Sequence, residues 1–92
     1  MIPNYVPFVA GNEIENLREA VDTGWLSPVG PFVDRFEAMF AKYHGVEAAA
    51  AVTSGTAAIH LGLIALGVKP GDLVLCSTLT FIASANPIRY CG

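Results

Sequence analysis

The chain has 92 residues and a net charge of −3; hydrophobic residues make up 53% and charged residues only 14%. A free-standing domain of this size exposes a large share of its surface and needs more charge than this, so the composition predicts a piece of a larger molecule. Five scattered Lys and Arg residues exclude a nucleic-acid footprint. Cys76 and Cys91 form no CxxC pair, and no signal-peptide pattern opens the chain. We therefore expect no zinc site or disulfide framework, and a cytoplasmic protein.

The first half of the sequence predicts two helices. Residues 12–23 carry apolar side chains at helical spacing, and Gly24 is a stop signal. The segment GWLSPVGP, with two prolines and two glycines, predicts a loop. Pro31 suits the first turn of a second helix that ends at His44 and Gly45. Its predicted apolar face comprises Phe32, Phe36, Met39, Phe40 and Tyr43.

The second half predicts strand, helix, strand and helix. Residues 48–53 and 73–76 are short apolar runs typical of buried strands, and residues 57–66 form a helix that is apolar nearly all round. A last helix is expected from residue 81 or 82 to 90, kinked or ended by Pro87. Apolar strands alternating with helices indicate an α/β fold with a parallel sheet covered on both faces.

The turn between the first strand and its helix is a candidate anion site. Ser54, Gly55 and Thr56 stand where the free N–H groups of a helix start, and the positive end of its dipole, favour a phosphate. Gly55 permits close backbone approach, and the two hydroxyls can donate hydrogen bonds. The alternative is that Ser54 and Thr56 only cap a buried helix.

Phe81 follows the second predicted strand at the same sheet edge. Ligands of parallel α/β sheets bind outside the carboxyl ends of the strands, and an aromatic ring there can lie against a flat heterocycle. The alternative is a core residue at the head of a helix. His60, one turn past Thr56, is more simply a core histidine than a phosphate ligand.

Five further ionisable residues are not expected to be catalytic. His44 is expected at a helix end. Surface positions are expected for Lys42, on the charged side of the second helix, and for Lys69, in the GVKPGD turn. Asp34 is expected on a helix face, and Asp72 in the same turn as Lys69.

Four ordered blocks resemble one family. They are NYVPFVAGNEIENLREAV, GWLSPVGPFVDRFEAMFAKYHG, VTSGTAAIHLGLIALGVKPGD and LVLCSTLTFIASANPI, which together cover nearly the whole chain. In this order they are similar to the N-terminal part of the DegT/StrS nucleotide-sugar aminotransferases, a group of fold-type I pyridoxal-phosphate enzymes. LVLCS and Pro87 depart from the family's usual pattern, which leaves the subgroup open.

The resemblance implies a site for each candidate residue. Ser54, Gly55 and Thr56 would hold the cofactor phosphate, and Phe81 would cover one face of the pyridine ring. Trp25 would lie near the substrate pocket, although a packing anchor is an alternative. The Schiff-base lysine, and the carboxylate that pairs with the pyridine nitrogen, would lie beyond residue 92, so the chain alone is expected to be inactive.

The resemblance also implies an architecture and a reaction. The chain would be the N-terminal portion of the large domain, with residues 1–46 as the opening segment and helices and residues 47–92 as the start of the cofactor-binding sheet. The full-length homodimer would transfer an amino group from an amino acid, commonly glutamate, to a nucleotide-linked keto sugar. Because the two strands would not be neighbours in that sheet, the isolated chain is expected to be marginally folded at best.

Three alternatives stay open. A relative with histidine in place of the lysine would dehydrate the sugar instead. Another fold-type I enzyme, such as a lyase or desulfurase, would make the GWLS and TFIASAN blocks coincidental. A non-catalytic membrane hairpin could be built on residues 48–68 and 73–90, since the run from residue 48 to 68 holds no Asp, Glu, Lys or Arg.

Overall fold

The computed structural model describes residues 5–92, which contain four helices and no β-strand. In chain order these are α1 (Glu13–Thr23), α2 (Pro31–His44), α3 (Gly55–Ala65) and α4 (Ile82–Tyr90). The described chain divides into two compact units, one ending at Ala49 and the other comprising Ala50–Gly92. Helices α1 and α2 belong to the first unit, and α3 and α4 to the second.

The bounds of α1 and α2 follow from local sequence signals, as predicted. Gly24, directly after α1, has φ 73°, and its N–H donates to the Val21 carbonyl. Gly45, directly after α2, has φ 66°. Glycine adopts this left-handed conformation without a Cβ penalty, which is why it ends helices so often. Pro31 occupies the first turn of α2, where no N–H is required.

The start of α1 carries a local carboxylate contact. Oε2 of Glu13 accepts a hydrogen bond of 2.7 Å from the Gly11 N–H. Hydrogen bonds from the backbone N–H of Glu13 itself, and then from that of Gly11, lower the pKa of the Glu13 carboxyl. Both bonds favour the charged form, as does the positive end of the helix dipole.

Arg35 makes polar contacts between the two helices of the first unit. Nη2 of Arg35 in α2 donates to Oδ1 of Asn16 in α1 at 3.3 Å and lies 3.6 Å from Oε2 of Glu19. Its guanidinium also lies over the Phe32 ring, 5.0 Å from the centroid. Ala41 on α2 is buried, whereas the predicted apolar face of that helix is largely exposed.

The two predicted strands are absent from the described residues, and that part of the sequence-based interpretation is wrong. Residues 48–53 and 73–76 have no regular structure, and the side chains of Leu73 and Leu75 are fully exposed. A strand is completed by hydrogen bonds to neighbouring strands, and the two predicted segments do not pair with each other. The apolar sequence of both segments is therefore present without the sheet that it predicts.

In the second unit, α3 and α4 pack against each other. The rings of His60 on α3 and Tyr90 on α4 meet edge to face, with centroids 5.5 Å apart. Beyond the helices, the N–H of Gly71 donates to the carbonyl of Gly92 at 3.3 Å. These contacts place the C-terminal end of α4 beside the middle of α3 and beside the turn at residues 69–72.

Pro87 does not end α4, contrary to one of the two outcomes expected for it. The helix continues to Tyr90, and Pro87 is almost completely buried. A proline inside a helix loses one backbone hydrogen bond, a cost that burial of its ring offsets. No helix within residues 5–92 is long and apolar enough to cross a membrane, and the segment 48–68 considered for such a span holds only the 11 residues of α3.

Candidate functional site

The N-terminus of α3 has the geometry of an anion site. Ser54 is extended at φ −164° and ψ 160°, and its Oγ accepts a hydrogen bond of 3.2 Å from the Ala57 N–H. Its carbonyl accepts from the Ala58 N–H at 3.0 Å. The N–H groups of Gly55 and Thr56 precede the first intrahelical bond and so have no acceptor within the helix. These two N–H groups and the positive end of the helix dipole are therefore available to bind an anion.

Neither the backbone conformation nor a close contact in its own unit requires glycine at position 55. Its φ lies outside the left-handed region, so its backbone conformation is open to any residue. A Cβ at this position would meet no atom within 4 Å among the described residues. The missing side chain therefore leaves open space at the helix N-terminus, where a bound anion would approach.

Ser54 confirms the capping alternative, because its hydroxyl oxygen does cap α3. Capping uses the oxygen as an acceptor, and the O–H hydrogen of the same group can still be donated. The cap is thus compatible with an anion at the same turn. The helix begins at Gly55, two residues earlier than predicted.

Phe81 lies directly before α4, and its side chain is 82% exposed among the described residues. Its backbone is extended and its carbonyl accepts from the Ser84 N–H at 2.9 Å. Phe81 and the Ser54–Thr56 turn both belong to the second unit, and each stands at the start of a helix.

His60 does not join this turn, since its ring packs against Tyr90 of α4. His60 therefore packs between helices, as expected of a core histidine, although its side chain is only half-buried. His44 likewise ends α2, where its ring lies 4.4 Å from that of Phe40. Asp72 is a turn residue, as predicted: its carboxylate accepts from the Lys69 N–H at 2.8 Å.

Trp25 belongs to the first unit and lines a separate cavity. The indole covers Gly30, whose φ of 125° only glycine adopts readily. A Cβ on Gly30 would lie 2.6 Å from the indole Cε3. The other part of the indole is exposed, and it borders a cavity of about 240 Å³ together with Glu19, Thr23, Pro31, Phe32 and Arg35.

Sequence reasoning missed Glu19 and Arg35 as members of this cavity. Both look like ordinary surface charges on amphipathic helices. A signal was present, since Asn16 and Glu19 are three residues apart and so lie on one face of α1, where a cation from the next helix can meet both. Which helix would supply that cation depends on how α2 packs, and periodicity alone does not give this.

Comparison with known proteins gives a consistent result. Residues 8–92 match the DegT/DnrJ/EryC1/StrS aminotransferase family. The chain is 50% identical over 86 residues to a GDP-perosamine synthase of Caulobacter vibrioides, covering 94% of this chain and 23% of that protein. It is 46% identical over 92 residues to a GDP-perosamine synthase of Vibrio cholerae, covering all of this chain and 25% of that protein.

A third relative is EpsN of Bacillus subtilis, which is named provisionally as a pyridoxal phosphate-dependent aminotransferase. It is 52% identical over 84 residues, which cover 91% of this chain and 22% of EpsN. The chain thus spans about a quarter of the length of these curated relatives. With a match over residues 8–92, the chain belongs to the DegT/DnrJ/EryC1/StrS aminotransferase family.

Proposed function

We propose that this chain is the N-terminal part of a pyridoxal-phosphate-dependent aminotransferase that acts on a nucleotide-linked keto sugar. Family membership supports the reaction class. Two relatives named GDP-perosamine synthase and a third named as a pyridoxal phosphate-dependent aminotransferase support the substrate class and the cofactor. The amino donor is an amino acid, most simply glutamate. The complete protein works as a cytoplasmic homodimer.

The single observation that carries the cofactor site is the open space at Gly55. The phosphate of pyridoxal phosphate would be held by the N–H groups of Gly55 and Thr56 and by the hydroxyls of Ser54 and Thr56. A phosphate is a charged acceptor, and hydrogen bonds to charged groups contribute about 1.5–3 kcal/mol each. The residues present therefore fit the group in charge, in donor type and in space.

Phe81 would cover one face of the cofactor ring. Its ring is exposed in the unit that also holds the Ser54–Thr56 turn, and stacking on a planar heterocycle would bury it. An aromatic side chain there also excludes water from one face of the ring. Trp25 is proposed to contact the sugar.

The cofactor, when bound, supplies an electron sink for the transfer of the amino group. The residues of this chain bind and orient it but supply no group that moves a proton. Residues 1–46 form the opening segment and helices, and residues 47–92 begin the cofactor-binding part of the large domain. The apolar segments 48–53 and 73–76 are proposed to find their neighbours in the remainder of that domain, which would bury the side chains of Leu73 and Leu75.

The experiment that tests the proposal is an absorbance titration of pyridoxal phosphate into the complete gene product and, separately, into the 92-residue chain. We expect the complete protein to show an absorbance band near the edge of the visible range, and we expect borohydride to abolish it. The 92-residue chain alone should show no such band. If the complete protein has a lysine at the family's Schiff-base position, the next measurement is a transamination assay with glutamate. The absence of a band from the complete protein would refute the aminotransferase assignment, unless histidine occupies that position, in which case the sugar-dehydratase alternative is tested next.

A further inference from the structure

The ring contact between His60 and Tyr90 joins two helices that each begin at a proposed cofactor-binding element. Helix α3 begins at the Ser54–Thr56 turn, and Phe81 stands directly before α4. The two rings meet edge to face with their centroids 5.5 Å apart, a favourable arrangement for an aromatic pair. The contact therefore links the helix of the turn to the helix that follows Phe81.

Hydrophobicity alone does not select the face of α3 that meets α4. Apart from Thr56 and His60, every residue of α3 is apolar or glycine, so apolar side chains surround the helix on all sides. A helix of this kind can turn about its axis with little change in the apolar area that it buries. A specific ring contact then favours one orientation over its neighbours.

The side of α4 that carries Tyr90 is the packed side of that helix. Pro87 lies three residues before Tyr90, and so on the same side, and it is almost completely buried. Tyr90 itself is 59% exposed, so the contact with His60 uses only part of its ring. The pair lies at the edge of the packed region, where it contributes more to the angle between the helices than to buried area.

We propose that His60 is a positioning residue for the cofactor ring, acting through Tyr90 and α4 on Phe81. The inference rests on the proposed function, in which the Ser54–Thr56 turn holds the phosphate and Phe81 covers the ring. Phe81 and Tyr90 bound a helical segment about 13.5 Å long. A rotation of α4 by ~10° about the ring contact would therefore move Phe81 by about 2 Å relative to α3. Stacked rings keep their centroids within about 4.5–7 Å, so a shift of this size weakens the stacking.

The test uses the complete gene product, freed of cofactor, and measures two dissociation constants. Pyridoxal phosphate, titrated by absorbance, reports on the turn and Phe81 together, whereas inorganic phosphate, titrated by calorimetry, reports on the turn alone. We expect His60→Ala to weaken binding of pyridoxal phosphate about tenfold and to change binding of inorganic phosphate by less than about twofold. His60→Phe keeps a ring against Tyr90 and should recover most of the lost affinity.

A double-mutant cycle shows whether His60 acts through Phe81. Phe81→Ala removes the stacking ring and should weaken binding of pyridoxal phosphate at least as much as His60→Ala does. In the Phe81→Ala background, His60→Ala should have no further effect on cofactor affinity, because no ring is left to misplace. A general loss of stability would instead act whether or not Phe81 is present.

His44→Ala is the matched control. It also removes a histidine ring that packs on an aromatic side chain, here Phe40, but on a helix of the first unit. This variant should change neither dissociation constant.

Four outcomes would overturn the proposal. If His60→Ala weakens inorganic phosphate and pyridoxal phosphate equally, His60 supports the turn and not Phe81. If it lowers the melting temperature and leaves both constants unchanged, the ring contact serves the fold alone. If the effects of His60→Ala and Phe81→Ala add, His60 does not act through Phe81. If Phe81→Ala leaves cofactor affinity unchanged, there is no ring contact for His60 to position.

The wild-type protein separates failure of this inference from failure of the proposed function. In each of the four cases, a wild-type absorbance band that borohydride abolishes shows that the cofactor still binds as a Schiff base. A wild-type protein without this band would refute the proposed function and the positioning role together.

Discussion

Gly55→Ala separates the role of this position in folding from its role in binding. Within the described residues the added Cβ meets no atom within 4 Å, and the backbone is not in the left-handed region. We therefore expect no steric penalty in the protein without cofactor. Alanine is the better helix former by up to about 1 kcal/mol, so the free energy of unfolding should stay constant or rise by that amount.

The same methyl group should weaken cofactor binding, because it occupies the space through which the phosphate approaches the Gly55 N–H. Loss of one hydrogen bond to a charged group costs about 1.5–3 kcal/mol, which corresponds to an increase in Kd of roughly 10- to 150-fold. The assay is an absorbance titration of pyridoxal phosphate into the complete gene product, together with urea denaturation of the cofactor-free protein.

Gly62→Ala is the matched control. Gly62 lies in the interior of the same helix, and a Cβ there also meets no atom within 4 Å among the described residues. Because it lies in the helix interior, Gly62→Ala should raise the free energy of unfolding by about 1 kcal/mol, without any change in cofactor affinity. The reasoning is refuted if Gly55→Ala binds the cofactor as tightly as Gly62→Ala does. It is also refuted if Gly55→Ala destabilises the cofactor-free protein, since Gly55 would then serve the fold.

Three other predictions follow from the same local geometry. Ser54→Ala removes the cap of α3 and should lower the free energy of unfolding by about 1 kcal/mol, measured by urea denaturation, while also weakening cofactor binding. Gly30→Ala forces a side chain into both a strained backbone and the Trp25 indole, and should destabilise the protein by about 1–3 kcal/mol in the same assay. The pKa of Glu13 is lowered in the folded protein, so its contribution to stability is present above its unfolded pKa and is lost as pH falls through the folded value. Glu13→Gln should therefore reduce the acid dependence of unfolding measured below about pH 4.5.

Each of these has a control. Ser54→Asp keeps an N-cap acceptor and should preserve stability, but its negative charge should repel the phosphate; equal cofactor affinity in Ser54→Asp and wild type would contradict a phosphate at this turn. Gly24→Ala places a side chain at φ 73° with no atom within 4 Å, so it should cost less than Gly30→Ala. For Glu13→Gln the control is the same measurement at neutral pH, where the variant should be less stable than the wild type, and this difference should shrink as pH falls.

Much of the secondary structure could be predicted because its signals are local. Glycine ends α1 and α2 through a conformation available to a single residue, and Pro31 and Ser54 mark helix starts through one missing N–H and one side-chain hydrogen bond. These interactions span four residues or fewer, so the neighbouring sequence is enough to predict them. The apolar segments 48–53 and 73–76 were predicted to be strands on composition alone, and that prediction failed because a strand requires a neighbour.

In the candidate site, too, some features follow from local sequence and others depend on packing. The sequence by itself determined that free N–H donors stand at Ser54-Gly55-Thr56, because a helix begins there and its N-terminus leaves such donors wherever it folds. Only the tertiary structure decided that α3 packs against α4, with His60 against Tyr90, and that Arg35 borders the same cavity as Trp25. Both results depend on packing between helices distant in sequence, and helical periodicity specifies which face is apolar without specifying which partner covers it.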